Sequence, residues 1–89
     1  MSGKGVQFWT YVLENQAGRF YVGHTDCLDR RIQEHNDPAS TKSDYTVKNG
    51  PWKLVWSERH ATRSEAMVRE KQIKSMKSAR WIRENLLNR

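Results

Sequence analysis

The sequence predicts an α+β domain with the element order ββαβαα, a three-stranded sheet flanked by helices. Three observations predict it. Two short aromatic and β-branched runs, TYVLE and RFYVGH, lie either side of the turn-rich tetrapeptide NQAG. A third such run, KLVWSE, follows Pro51. The remainder of the C-terminal half carries apolar residues at helical spacing behind hydroxyl cap signals.

In chain order, residues 1–7, MSGKGVQ, are small, polar and glycine-containing and are expected to be flexible. Residues 8–89 are expected to form one domain, since 89 residues support one modest core. Phe8 to Glu14 is the first strand and Arg19 to His24 the second, with Gly18 at the turn exit. If positions pair with i + j = 32, Tyr11 faces Tyr21 across the hairpin, with neighbouring side chains roughly 5 Å apart. The chain then turns at Gly23, and Asp26 caps a helix from about Leu28 to His35. On that helix Leu28 and Ile32 form an apolar i, i+4 pair. Arg31 and His35 form a second at the margin of the same face. Two tyrosines, an arginine and a histidine thereby converge on one side.

The stretch 36–50, NDPASTKSDYTVKNG, reads as a loop in which Lys42, Tyr45 and Lys48 offer charge and a stacking ring. Trp52 to Arg59 is the third strand, with Trp52, Leu54 and Trp56 alternating against Lys53, Val55 and Ser57. Thr62-Arg63-Ser64-Glu65 has capping-box spacing, so a helix starts near Arg63 and runs to about Lys74. SMKSA breaks it, and Ser78 caps a last helix to Leu87 with Trp81, Ile82 and Leu86 as its stripe. On the middle helix Ala66, Glu70 and Ile73 share a face. A carboxylate there is costly unless it is paired, for instance with Lys74, or coordinating.

Charge is unevenly placed. Residues 1–39 carry four Lys and Arg against five Asp and Glu, and residues 40–89 carry twelve against five, a balance of +7. That asymmetry points to a polyanion such as nucleic acid. No stretch approaches the ~20 apolar residues of a membrane span. No signal-peptide run opens the chain, and the single Cys27 forms no internal disulfide. A cytoplasmic, nucleoid-associated monomer is expected.

Trp9-Thr10-Tyr11 and Tyr21-Val22-Gly23, on adjacent strands, resemble the two tripeptides that name the GIY-YIG nucleases, although the first lacks the glycine and isoleucine. Arg31, ten residues after Tyr21, stands where the family has its catalytic arginine. His35 follows four residues later, where a histidine is frequent. Glu70 in EKQIK matches the family's metal-binding glutamate. The resemblance covers roughly residues 7–88 and is to the small single-domain members. It implies an endonuclease that hydrolyses DNA phosphodiester bonds with Mg²⁺ or Mn²⁺ held by Glu70. Tyr11, Tyr21, Arg31, His35 and Glu70 would be catalytic. His24, Lys42, Lys48, Lys71 and Lys74 would contact nucleic acid. At the place of His24 the related excision-repair incision domains have a lysine. His60 and Cys27 read as structural. No room is left for an added recognition domain, so sequence specificity is expected to be low or supplied by a protein partner. The alternatives are a catalytically weak binding module of the same fold, and an interaction domain whose basic half binds an acidic protein.

Overall fold

The computed structural model describes residues 7–37 and 48–89. The elements are β1 (Phe8–Asn15), β2 (Phe20–Thr25), α1 (Leu28–Asn36), β3 (Trp52–His60), α2 (Arg63–Ser75) and α3 (Ala79–Asn85). This is the expected ββαβαα order. The sheet is antiparallel throughout with strand order β2-β1-β3, so β1 is central and β2 and β3 are its edges.

The hairpin register differs from the expectation. Tyr11 pairs with Gly23 and Leu13 with Tyr21, a pairing sum of 34 rather than 32. The reason lies in the turn. Asn15 still pairs with Arg19, its N–H donating to the Arg19 carbonyl at 3.0 Å, while Gly18 N–H donates back to the Asn15 carbonyl at 3.0 Å. Gly18 has φ +80°, so three residues fill the loop and the last is left-handed, the conformation glycine adopts without steric cost. Because the shift is by two residues, both tyrosines keep the same face.

Two further expectations near α1 need correction. Gly23 does not turn the chain, since β2 continues through it to Thr25. Asp26 is not the cap. Cys27 occupies that position without a side-chain cap bond, and Asp26 instead pairs with Arg30. The turn is held by Thr25, whose Oγ1 accepts from Cys27 N–H at 3.1 Å.

The sheet has two covered faces. On one, Tyr11, Leu13 and Trp52 pack with Tyr21, Leu54 and the α1 residues Leu28 and Ile32. On the other, Val12 and Val22 pack with Ile73 of α2, Ile82 and Trp81 of α3, and Val55 and Trp56 of β3. Trp56 therefore does not share a face with Trp52 and Leu54, as simple alternation requires. A bulge explains this: Val12 pairs with Trp56 and Leu13 with Leu54, which leaves Val55 as the extra residue. One strand thus supplies a tryptophan to each core.

α2 begins at Thr62, whose hydroxyl accepts from Glu65 N–H at 3.2 Å. It ends at Met76, followed by Lys77 in a left-handed conformation, φ +49°. Ser78 Oγ then caps α3, accepting from Trp81 N–H at 3.0 Å. Of the expected 36–50 loop, residues 38–47, including Lys42 and Tyr45, lie outside the described residues. At its two ends Asn36 closes α1, and Lys48 and Asn49 are helical rather than irregular. Asn36 also joins α1 to β3. Its side-chain oxygen accepts from Trp52 N–H at 2.6 Å, and its amide donates to the Trp52 carbonyl at 3.0 Å.

Candidate active site

Tyr11 stands at the centre of β1, 1% exposed, and its ring lies over Gly23 of the edge strand. The side chain reaches His35, buried at the end of α1, with 2.9 Å between the hydroxyl oxygen and Nε2. Tyr21 completes an aromatic cluster. Its ring centroid is 6.4 Å from that of Tyr11, 4.6 Å from that of His35 and 6.2 Å from Trp52. Arg31, one turn before His35, gives Nη1 to Glu34 Oε1 at 3.0 Å. Its positive charge also acts on the Tyr11 phenol and pulls its pKa down.

The Tyr11–His35 contact is a single hydrogen bond whose direction is set by the imidazole tautomer. His35 Nδ1 is buried with no partner among the described residues. Burial pushes the Tyr11 phenol up to about 12, against the pull of Arg31. Burial, and then the charge of Arg31, bring the His35 imidazole down to about 4. Both groups are neutral at pH 7.

Glu70 and His24 lie on the opposite face of the sheet. His24 follows Val22 on that side of β2, and its Nδ1 is 2.5 Å from Glu70 Oε1 on α2. Lys74 Nζ is 2.5 Å from the other carboxylate oxygen. Burial works to raise the Glu70 carboxyl, but the hydrogen bonds from Lys74 and His24 prevail and hold it below the usual range. The two groups of residues lie on opposite faces of the sheet, and the charge of Glu70 is felt at Tyr11. The structure thus brings Tyr11, Tyr21, Arg31 and His35 together on one face, and Glu70, His24 and Lys74 together on the other. Lys71 points elsewhere, lining a groove on the outside of α2 with Ser64, Met67 and Val68. Lys48 is exposed, and Lys42 lies outside the described residues.

Among the described residues there is no group of three or more His, Cys, Asp or Glu able to hold a metal ion. The donor set still suits a hard divalent ion of the magnesium kind. Glu70 is held ionised, and such an ion needs only one or two carboxylates when waters and phosphate oxygens supply the rest.

Sequence reasoning missed Glu34, whose i, i+3 spacing from Arg31 was available as a signal, and the role of Gly23. His60 is tied into the fold: its Nε2 lies 3.2 Å from the buried Thr10 hydroxyl, which itself donates to the Ala66 carbonyl at 2.8 Å.

The profile of the GIY-YIG catalytic domain matches residues 7–85. The chain belongs to the GIY-YIG family. This GIY-YIG domain is 38% identical over 72 residues to a UPF0213 protein of Natronomonas pharaonis, covering 81% of this chain and 82% of that one. It is 36% identical over 69 residues to a UPF0213 protein of Streptococcus pneumoniae, covering 78% and 68%. The solution NMR structure of the UPF0213 protein BH0048 from Bacillus halodurans is 33% identical, with a TM-score of 0.47, over 78% of this chain and 71% of that one. No helix among the described residues of the GIY-YIG domain is long and apolar enough to cross a membrane.

Proposed function

We propose that this domain is an endonuclease that hydrolyses DNA phosphodiester bonds with a divalent metal cofactor, magnesium or manganese. The observation that carries the reading is the 2.9 Å contact between the buried Tyr11 hydroxyl and His35 Nε2, with the charge of Arg31 acting on the same phenol. A phenol so placed can take a proton from water as it passes its own to the imidazole. In the free protein that transfer is disfavoured, because the imidazolium would form in a dry site beside a guanidinium. A phosphodiester anion on Arg31 removes the second of these obstacles. Arg31 then holds non-bridging oxygens with its planar fork. Tyr21, ring against ring with Tyr11 and His35, orients the pair. Water adds to phosphorus as its proton moves to the phenol and the phenol's proton to His35; the bond to the leaving oxygen breaks, and that oxygen takes a proton from solvent.

Glu70 would hold the metal ion, and bound there the ion would neutralise charge developing on the phosphate. His24 and Lys74 would then turn to the phosphates, and Lys42, Lys48 and Lys71 would add attraction from the periphery. A role in DNA repair or recombination, a monomeric state and a cytoplasmic, nucleoid-associated location accord with this reading, as does a protein partner that supplies specificity.

One observation favours the rival, a binding module without effective catalysis: Glu70 is already engaged by two partners. A nicking assay on plasmid, flap and branched DNA with magnesium or manganese separates the two. Arg31→Ala should lower kcat/KM by roughly 10²–10³. Glu70→Gln should keep the fold, end cleavage and leave DNA affinity equal or slightly higher. Cleavage by Glu70→Gln at the wild-type rate would end the metal assignment. A wild-type protein that cuts none of the three DNAs would leave the binding module.

A further inference from the structure

A crevice of about 200 Å³ opens beside the Glu70 cluster, between the β2 edge and the junction of α2 with α3. Its floor is apolar, built from Val22, Ile73 and Ile82, all buried, and Phe20 forms an aromatic wall. Its rim is cationic. Lys74 lies there, already bridged to Glu70, and so does Lys77, which makes no ion pair among the described residues. Ser78 adds a hydroxyl. Its oxygen accepts the α3 cap bond, while its proton has no acceptor among the described residues.

We propose that this crevice seats one unstacked nucleotide next to the bond cut at the site described above, with the base against Phe20 and its phosphate on Lys77 and Ser78. The inference rests on the nuclease reading for its substrate and on the crevice for its content. Neither component of the crevice explains the other. An ammonium rim alone suits any anion, and an apolar floor alone suits any small hydrophobe. Together, at this size, they suit a flat ring joined to a phosphate. A positively charged groove with an aromatic platform is the usual means of holding a single strand. A base stacked inside a duplex cannot reach such a wall, so the occupant is an unpaired or extruded nucleotide. The position is consistent. Phe20, Val22 and His24 alternate along one face of β2, so the crevice runs into the Glu70 cluster within about 13 Å at ~3.3 Å per residue.

The test is binding without chemistry. Thymidine dinucleotide carrying a 5′-phosphate is titrated into the full chain in excess EDTA, and backbone amide shifts are followed by NMR. The expected result is saturable movement at Phe20, Lys77, Ser78 and Ala79. Phe20→Leu, which keeps apolar volume but removes the ring, should weaken binding about tenfold. Lys77→Asn, which suits the left-handed backbone, should weaken it several-fold, and Lys53→Gln, at an exposed position of the other edge strand, should leave it unchanged. Shifts confined to Tyr21 and Arg31, or wild-type affinity in both crevice variants, would overturn the proposal. Because no metal is present, failure of cleavage and failure of the crevice are separate results. A dinucleotide seated at Phe20 in a protein that cuts nothing upholds the subsite and removes the nuclease reading alone.

Discussion

A β-carbon at position 23 would lie 2.6 Å from the Tyr11 hydroxyl oxygen and 2.8 Å from the ring carbon that bears it. Tyr11 is enclosed and cannot swing aside without leaving His35. Gly23→Ala should therefore cost about 1–3 kcal/mol in stability from overpacking. It should also lower any nuclease rate by far more than its effect on the fold, which comparison of denaturant midpoints with turnover will show. His35 leads to a pH effect. Its folded-state value is depressed, from an ordinary 6.5 to about 4. Its contribution is then fully present above about pH 6.5 and is lost as pH falls through the folded value. At ~1.36 kcal/mol per unit the loss is at most roughly 3 kcal/mol. Glu70, also depressed, acts in the same direction. His35→Gln, which keeps an acceptor for Tyr11, should flatten the fall in melting temperature between pH 7 and pH 4.5. An equal fall in both proteins would refute the assignment. That Tyr11 and Tyr21 share one face was legible in the sequence because only the parity of the register matters, and a shift of two preserves parity. The need for glycine at position 23 was not, since it arises from a ring on a neighbouring strand.

At the scale of elements, cap chemistry was legible where it is local. Thr62 and Glu65 announce α2, and Ser78 announces α3, by side chains that bond within three or four residues. Thr62→Ala should cost about 1 kcal/mol, measurable by thermal melting. Because α2 carries Glu70 and Lys74, fraying at its start should show first as faster amide exchange near Thr62 rather than at the site. The start of α1 was misread because the bond goes from Thr25 to Cys27 across the position where a capping aspartate was expected. The β3 bulge was not legible at all. Trp52, Leu54 and Trp56 alternate without interruption in the sequence, and only pairing against β1 reveals that Val55 is extra. That single residue lets one edge strand close two cores.

For the molecule as a whole, the basic balance of +7 after residue 39 belongs to β3, α2, α3 and the chain leading into them. Binding to DNA should weaken steeply with salt. Three phosphate contacts, for instance, would correspond to a fall on the order of tenfold or more between 50 and 200 mM. A flat isotherm over that range would count against phosphate contact. The Asn36 clasp on Trp52 has a consequence for how such a domain diversifies. One side chain supplies both the donor and the acceptor that a neighbouring strand would have offered, so the end of α1 and the start of β3 are joined independently of the connector between them. Lengthening that connector costs only about 0.6 kcal/mol per doubling, and the seat of His35 against Tyr11 does not depend on it. Connectors of different length should therefore be accommodated there without disturbing the Asn36–Trp52 bonds.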